Sequence, residues 1–141
     1  MTNQEAIDIS QFQLNRQGER CTNVSGTCQY KKLDGSKILH CAIGFLLSDD
    51  IYTSGMEGSD VEMLNRYMEN EGIENPLKNI DTNLLNEMQE AHDDSCYNER
   101  EPGTSEASDE IWMSLLNKTF KGIRSKFNLT PYDPKLVPTN D

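Results

Sequence analysis

At 141 residues and 16.0 kDa, the chain has room for one ordinary domain and none for separate cofactor and substrate lobes. Hydrophobic residues make up 35% of it and charged residues 26%, with a mean hydropathy of -0.73, which predicts a thin core and excludes a fully disordered chain. A formal charge of -11 disfavours general DNA or RNA binding, because phosphates are repelled unless a local basic surface overcomes the mean field.

In chain order, residues 4–17 place Ala6, Ile7, Ile9, Phe12 and Leu14 among polar residues, which suits an amphipathic helix ending at Gly18. Cys28 to Leu33 and Ser36 to Cys41 flank Asp34-Gly35, a pair that tolerates the positive φ of a tight turn, so a β-hairpin is expected. Cys41 to Leu47 is the most apolar run and should be buried; Ser48, Asp49 and Asp50 then cap a short helix carrying Ile51 and Tyr52. Glycines make Ser54 to Ser59 a loop, after which Val61, Leu64, Tyr67 and Met68 recur at helical spacing until Gly72.

Beyond Asn75-Pro76, Asp81 is expected to cap a helix whose apolar face is Leu84, Leu85, Met88, Ala91 and, near its end, Cys96. Residues 98–105 are polar and aperiodic with a Pro-Gly pair, the signature of an exposed mobile loop. From Ser108 to Phe127 a helical stripe runs through Ile111, Trp112, Leu115, Leu116, Phe120, Ile123 and Phe127, with Lys118, Lys121 and Arg124 off it. Pro131, Pro134 and Pro138 forbid further helix and predict an extended tail, ordered only where it docks. The expected fold is α+β: a mostly helical single domain over residues 1–128 with one β-hairpin near the N-terminal third, then a Pro-rich extended tail over 129–141.

Charge is uneven. Residues 49–110 hold 18 of the 24 acids and 3 of the 13 bases, a net charge of -15. Such a segment is a solvated surface, or a patch that docks on a basic partner, or an imitation of nucleic-acid phosphates. No apolar run approaches the ~20 residues that span a bilayer, and the start Met1 to Glu5 lacks the basic and apolar regions of a secretory signal. An intracellular chain with reduced thiols is the expectation.

Four cysteines and two histidines invite a zinc site, but Cys21-x6-Cys28 is wider than a zinc knuckle and no Cys-x2-Cys occurs. His40 and Cys41 are adjacent and would face opposite ways on a strand, while His92 and Cys96, at i and i+4, make half a site. A Cys–His nucleophile is conceivable from Cys41 or Cys28 with His92 and Asp93 or Asp94, although burial of Cys41 would suppress its thiolate. Glu57 with Asp60, or Asp93 with Asp94, are carboxylate pairs of the kind 24 acids produce by chance. No phosphate-binding glycine loop or serine elbow is present. Arg16, Arg20, Lys31 and Lys32, with Tyr30, could receive a small anion, and lysines guarding a strand edge explain the last two equally well.

The string Cys28-x-Tyr30-x3-Asp34-Gly35-x5-Cys41-Ala42-Ile43-Gly44-x-Leu46, then Asp49-Asp50-x-Tyr52-x3-Met56-Glu57-Gly58, resembles a group of small proteins of tailed-phage genomes. Leu85-x2-Met88-Gln89-x2-His92-Asp93 and the Trp112 helix fit the same pattern, which spans about residues 20–127. The resemblance implies a genomic setting and assigns no catalytic residue. With no catalytic constellation, no metal and no cofactor expected, it points to a non-enzymatic accessory protein of the host cytoplasm. Such a host-takeover or counter-defence factor would bind a host defence protein or sequester a small immune signalling nucleotide, without direct nucleic-acid binding or a membrane. A homo-oligomer would cover surplus apolar stripes. Contacts with the ligand or partner are expected from Arg20, Tyr30, Lys32, Tyr52, Glu57, His92 and Asp93. The alternatives are an acidic nucleic-acid mimic that blocks a DNA-binding host protein, and a small Cys/His-dependent or metal-dependent hydrolase.

Overall fold

The computed structural model describes residues 1–22, 29–97 and 105–137. Their elements run α1 (Asn3–Gln17), β1 (Lys31–Asp34), β2 (Lys37–His40), α2 (Val61–Asn70), α3 (Thr82–Tyr97) and α4 (Ser105–Lys126), with short 3-10 turns at Gly44–Leu46, Ser54–Met56 and Pro134–Leu136. The fold is α+β and mostly helical, a single domain with one two-stranded antiparallel hairpin. No helix among the described residues is long and apolar enough to cross a membrane. Cys28, loop residues 98–104, the Cys96 side chain and the last Pro-rich residues 138–141 lie outside what is described.

Helix α1 opens on a capping box in which the Thr2 hydroxyl accepts from Glu5 N and Thr2 N donates to the Glu5 carboxylate, and it ends at Gly18 with φ 72°. Its buried face is Ala6, Ile7, Ser10, Gln11 and Leu14, whereas Ile9 and Phe12 are only partly covered. Two polar residues thus sit where apolar periodicity alone looks for hydrophobes. Both are satisfied there: the Ser10 hydroxyl donates to Ala42 O at 2.9 Å, and the Gln11 carbonyl oxygen accepts twice from Arg124.

The hairpin pairs Lys31 with His40 through Asp34 with Lys37, around Gly35 at φ 64°. It is shorter than the expected strands, yet Cys41 N still reaches back to Tyr30 O at 3.2 Å. Cys41 to Leu47 is buried apart from a half-covered Phe45. The helix expected at Ile51 and Tyr52 is instead one turn, in which both amides donate to Ser48 O at 3.0 Å. Extended Thr53 (φ -133°) stops it there, and the expected loop at 54–59 begins as a 3-10 turn.

Asp60 starts α2 by accepting from Met63 N at 2.8 Å, and Asp81 starts α3, its Oδ1 accepting from Asn83 N and its backbone oxygen from Leu85 N. Helix α3 buries Leu84, Leu85, Met88 and Ala91 as the spacing predicts, and packs on α4 and α2. Helix α4 starts three residues before the expected Ser108 and buries Trp112, Leu116, Phe120 and Ile123. Two members of the expected stripe are corrected: Ile111 is 54% exposed and Leu115 37%, since each lies one residue, about 100°, round the helix from the arc that meets α3 and α1. Conversely Arg124, expected off the stripe, is 2% exposed because it is the interior partner of α1. Past α4, the tail docks through Thr130, whose amide donates to Gln4 Oε1 at 2.8 Å and whose carbonyl accepts from Arg124 at 2.9 Å, and through buried Val137.

Candidate functional site

Glu57 is the junction of the region. Its carboxylate accepts from Tyr30 N at 2.9 Å, Lys31 N at 3.2 Å and the Tyr52 hydroxyl at 2.6 Å. The first two donors stand at the start of the short β1, and a carboxylate here takes the place of an absent strand. The Tyr30 hydroxyl in turn donates to Ser59 O, so Tyr30 is tied at both ends to the 57–59 segment, which turns at Gly58 (φ 79°). Burial pushes both phenols up from their ordinary values; the bond to Glu57 adds to it at Tyr52, and the nearby Cys41 and Glu57 add to it at Tyr30.

Between this segment and α3 opens a cleft of about 340 Å³. Its carboxylates are Glu57, Asp60, Glu90 and Asp93, its amides Asn86 and Gln89, and its ring Tyr30; among the described residues no lysine or arginine lines it. Asp93 Oδ1 accepts from Gln89 Nε2 at 2.9 Å and lies 3.3 Å from His92 Nδ1, while Gln89 Oε1 accepts from the Cys41 thiol at 3.3 Å. Exposed Asp60 and Glu90 add charge at the rim.

Of the residues singled out in the sequence, Tyr30, Glu57 and Asp93 line the cleft, and Tyr52 stands behind Glu57. His92, expected from sequence as a ligand or partner contact, is wholly buried, with its ring edge-on to Trp112 at 5.6 Å, because this face of α3 packs against α4. A ligand in the cleft meets Asp93 and not His92. Arg20 and Lys32 are not brought to the cleft: Arg20 Nε lies 3.8 Å from Asp109, and Lys32 faces Leu39 across the hairpin. Lys31 instead holds Asp49 at 2.7 Å, which keeps the Asp49 carboxyl below its usual range, and lies 5.4 Å from the Tyr52 ring centre. Sequence reasoning missed Asn86, Gln89 and Glu90 as lining residues. With Asp93 they recur at i, i+3, i+4 and i+7, a polar face that helical spacing could have shown.

Cys41 does not line the cleft. It is fully buried, burial pushes its thiol far above the ordinary value, and its tie to His92 runs through Gln89 and Asp93. That arrangement suppresses a thiolate nucleophile. Among the described residues no three His, Cys, Asp or Glu side chains are grouped to hold a metal ion. The cleft's chemistry is that of a negative pocket with planar amides: it favours an ammonium or guanidinium group and repels a phosphate. Comparison of the chain with protein-family models, with curated proteins and with solved structures finds no match, so the cleft has to be read from its own geometry.

Proposed function

We propose that this chain acts by binding, docking its acidic cleft on a basic surface of a host protein so that a lysine or arginine side chain enters beside Glu57 and Asp93. The observation that carries the reading is four carboxylates around one cleft with no lining cation among the described residues. The -15 charge of residues 49–110 supports it by extending the same field beyond the cleft, which steers a basic partner toward it. The resemblance to tailed-phage proteins supplies the setting, a host-takeover or counter-defence factor in the host cytoplasm. Nucleotide sequestration is disfavoured at this cleft by the charge of the phosphates.

The test compares host proteins retained by the native chain and by a Glu90→Lys variant. Glu90 is exposed at the rim, so the variant should keep its fold. A partner held by the native chain should be lost from the variant, and lost from the native chain at about 0.3 M salt, where the Debye length shrinks below the span of the patch. Retention that ignores both changes would overturn the reading.

A further inference from the structure

We infer that a second cavity, between α1, α4 and the 129–132 segment, is a binding site for a flat organic anion, a ring carrying one carboxylate or phosphate. The cavity measures about 440 Å³, within the range of small-molecule sites, roughly 300–1,000 Å³. Its lining includes Lys121 and Arg124 and, among the described residues, no carboxylate, in a chain of charge -11. Leu129, Pro131 and the Tyr132 ring form an apolar wall.

The rest is a prebuilt amide floor. Asn117 Oδ1 accepts from Gln11 Nε2 and Asn15 Nδ2, both at 2.9 Å, and Asn117 Nδ2 returns a bond to Asn15 Oδ1 at 2.8 Å. These side chains hold one another in place, so a ligand need not order them.

Arg124 is the buried cation of the cavity. Of its five N–H groups, Nε and one Nη2 hydrogen go to Gln11 Oε1, and the two on Nη1 go to Asp8 Oδ1 and Thr130 O. The remaining Nη2 hydrogen has no acceptor among the described residues, on a side chain only 2% exposed that lines the cavity. A buried charged donor left unspent is costly, and an anionic oxygen would relieve it. Asp8 offsets the guanidinium charge, whereas exposed Lys121 has no ion pair among the described residues and supplies the net positive charge. The Tyr132 ring centre lies 5.3 Å from the guanidinium carbon, so a ring stacked on this wall would carry its anionic group toward both cations.

This cavity shares no lining residue with the acidic cleft, and its test is separate from that of the docking reading. The intact chain is titrated calorimetrically with adenosine monophosphate and with quinoline-2-carboxylate, and with the uncharged counterparts adenosine and quinoline. At least one anion should bind at one equivalent, its neutral counterpart roughly tenfold more weakly, as a charge-assisted bond implies. Lys121→Glu and Tyr132→Ala should each weaken it about tenfold without lowering Tm, while Glu90→Lys leaves it unchanged. Binding of only one anion identifies the headgroup as phosphate or carboxylate. Failure of both anions, equal binding of the neutral rings, or indifference to Lys121→Glu would overturn the inference.

Discussion

A Cβ on Gly44 would stand 1.8 Å from the carbonyl oxygen of Tyr30, the same oxygen that accepts from Cys41 N. Backbone meets backbone there, and no side chain can move aside. Gly44→Ala must therefore push the 41–47 run away from Tyr30, with a cost of about 3 kcal/mol or more. Thermal unfolding should show Tm falling by about 6–12 °C. Gly18→Ala is the control, since nothing lies within 4 Å of a Cβ there, and its loss should reflect only the left-handed φ of 72°.

Glu57→Gln keeps the shape but replaces one carboxylate oxygen by a donor that faces N–H and O–H groups. The loss should be about 1–3 kcal/mol in urea unfolding. Tyr52→Phe removes one of the three bonds and should cost about 1 kcal/mol. A double variant should lose less than the two single losses combined, because the bond is shared.

Arg124→Met strips Asp8 of its buried cation and Gln11 of two donors. Breaking such a pair from one side should cost about 3–5 kcal/mol. Pairing it with Asp8→Leu and Gln11→Leu should restore part of that stability in chemical denaturation, since no charge is then left without its partner, while Gln4 Nε2, Asn117 Oδ1 and Thr130 O each lose a bond.

Stability should form a plateau near neutrality and fall on both sides. On the acid side, burial holds the His40 imidazole below its ordinary value, against the opposing pull of Asp49. The stabilisation from neutral His40 is complete above the ordinary imidazole pKa and is lost as pH falls through the folded one. On the alkaline side, Cys41, Tyr30 and Tyr52 are raised, so their contribution is complete below ordinary thiol and phenol values and is lost as pH climbs from there. Urea midpoints at about pH 5, 7 and 10.5 sample these windows. His40→Phe should flatten the acid limb, and Cys41→Ala should reduce the alkaline one.

What could be read from the residues alone follows the range of the forces involved. Asp34-Gly35 announces its hairpin because turn chemistry is local, α2 is announced by its spacing, and α3 by its Asp81 cap and its spacing. Ser10, Gln11 and Arg124 were not, because a buried polar residue is stabilised by a partner far along the chain: Arg124 lies 113 residues from Gln11 and 116 from Asp8. His92 is four residues after Met88, so the helical period puts it on the interior arc, although its chemistry made it a candidate ligand contact. Tyr30, Tyr52 and Glu57 stood together in the motif string, but their meeting with Asn86, Gln89 and Asp93 depends on how α3 docks.

The bond from Thr130 N to Gln4 Oε1 joins residues 126 positions apart. During synthesis α1 leaves the ribosome before α4, so Ser10 can meet Ala42 early while Asp8 and Gln11 face water until Arg124 and Thr130 emerge. Closure around α1 waits for α4 and the segment after it, and chains shortened before Arg124 should remain open and sensitive to protease along α1.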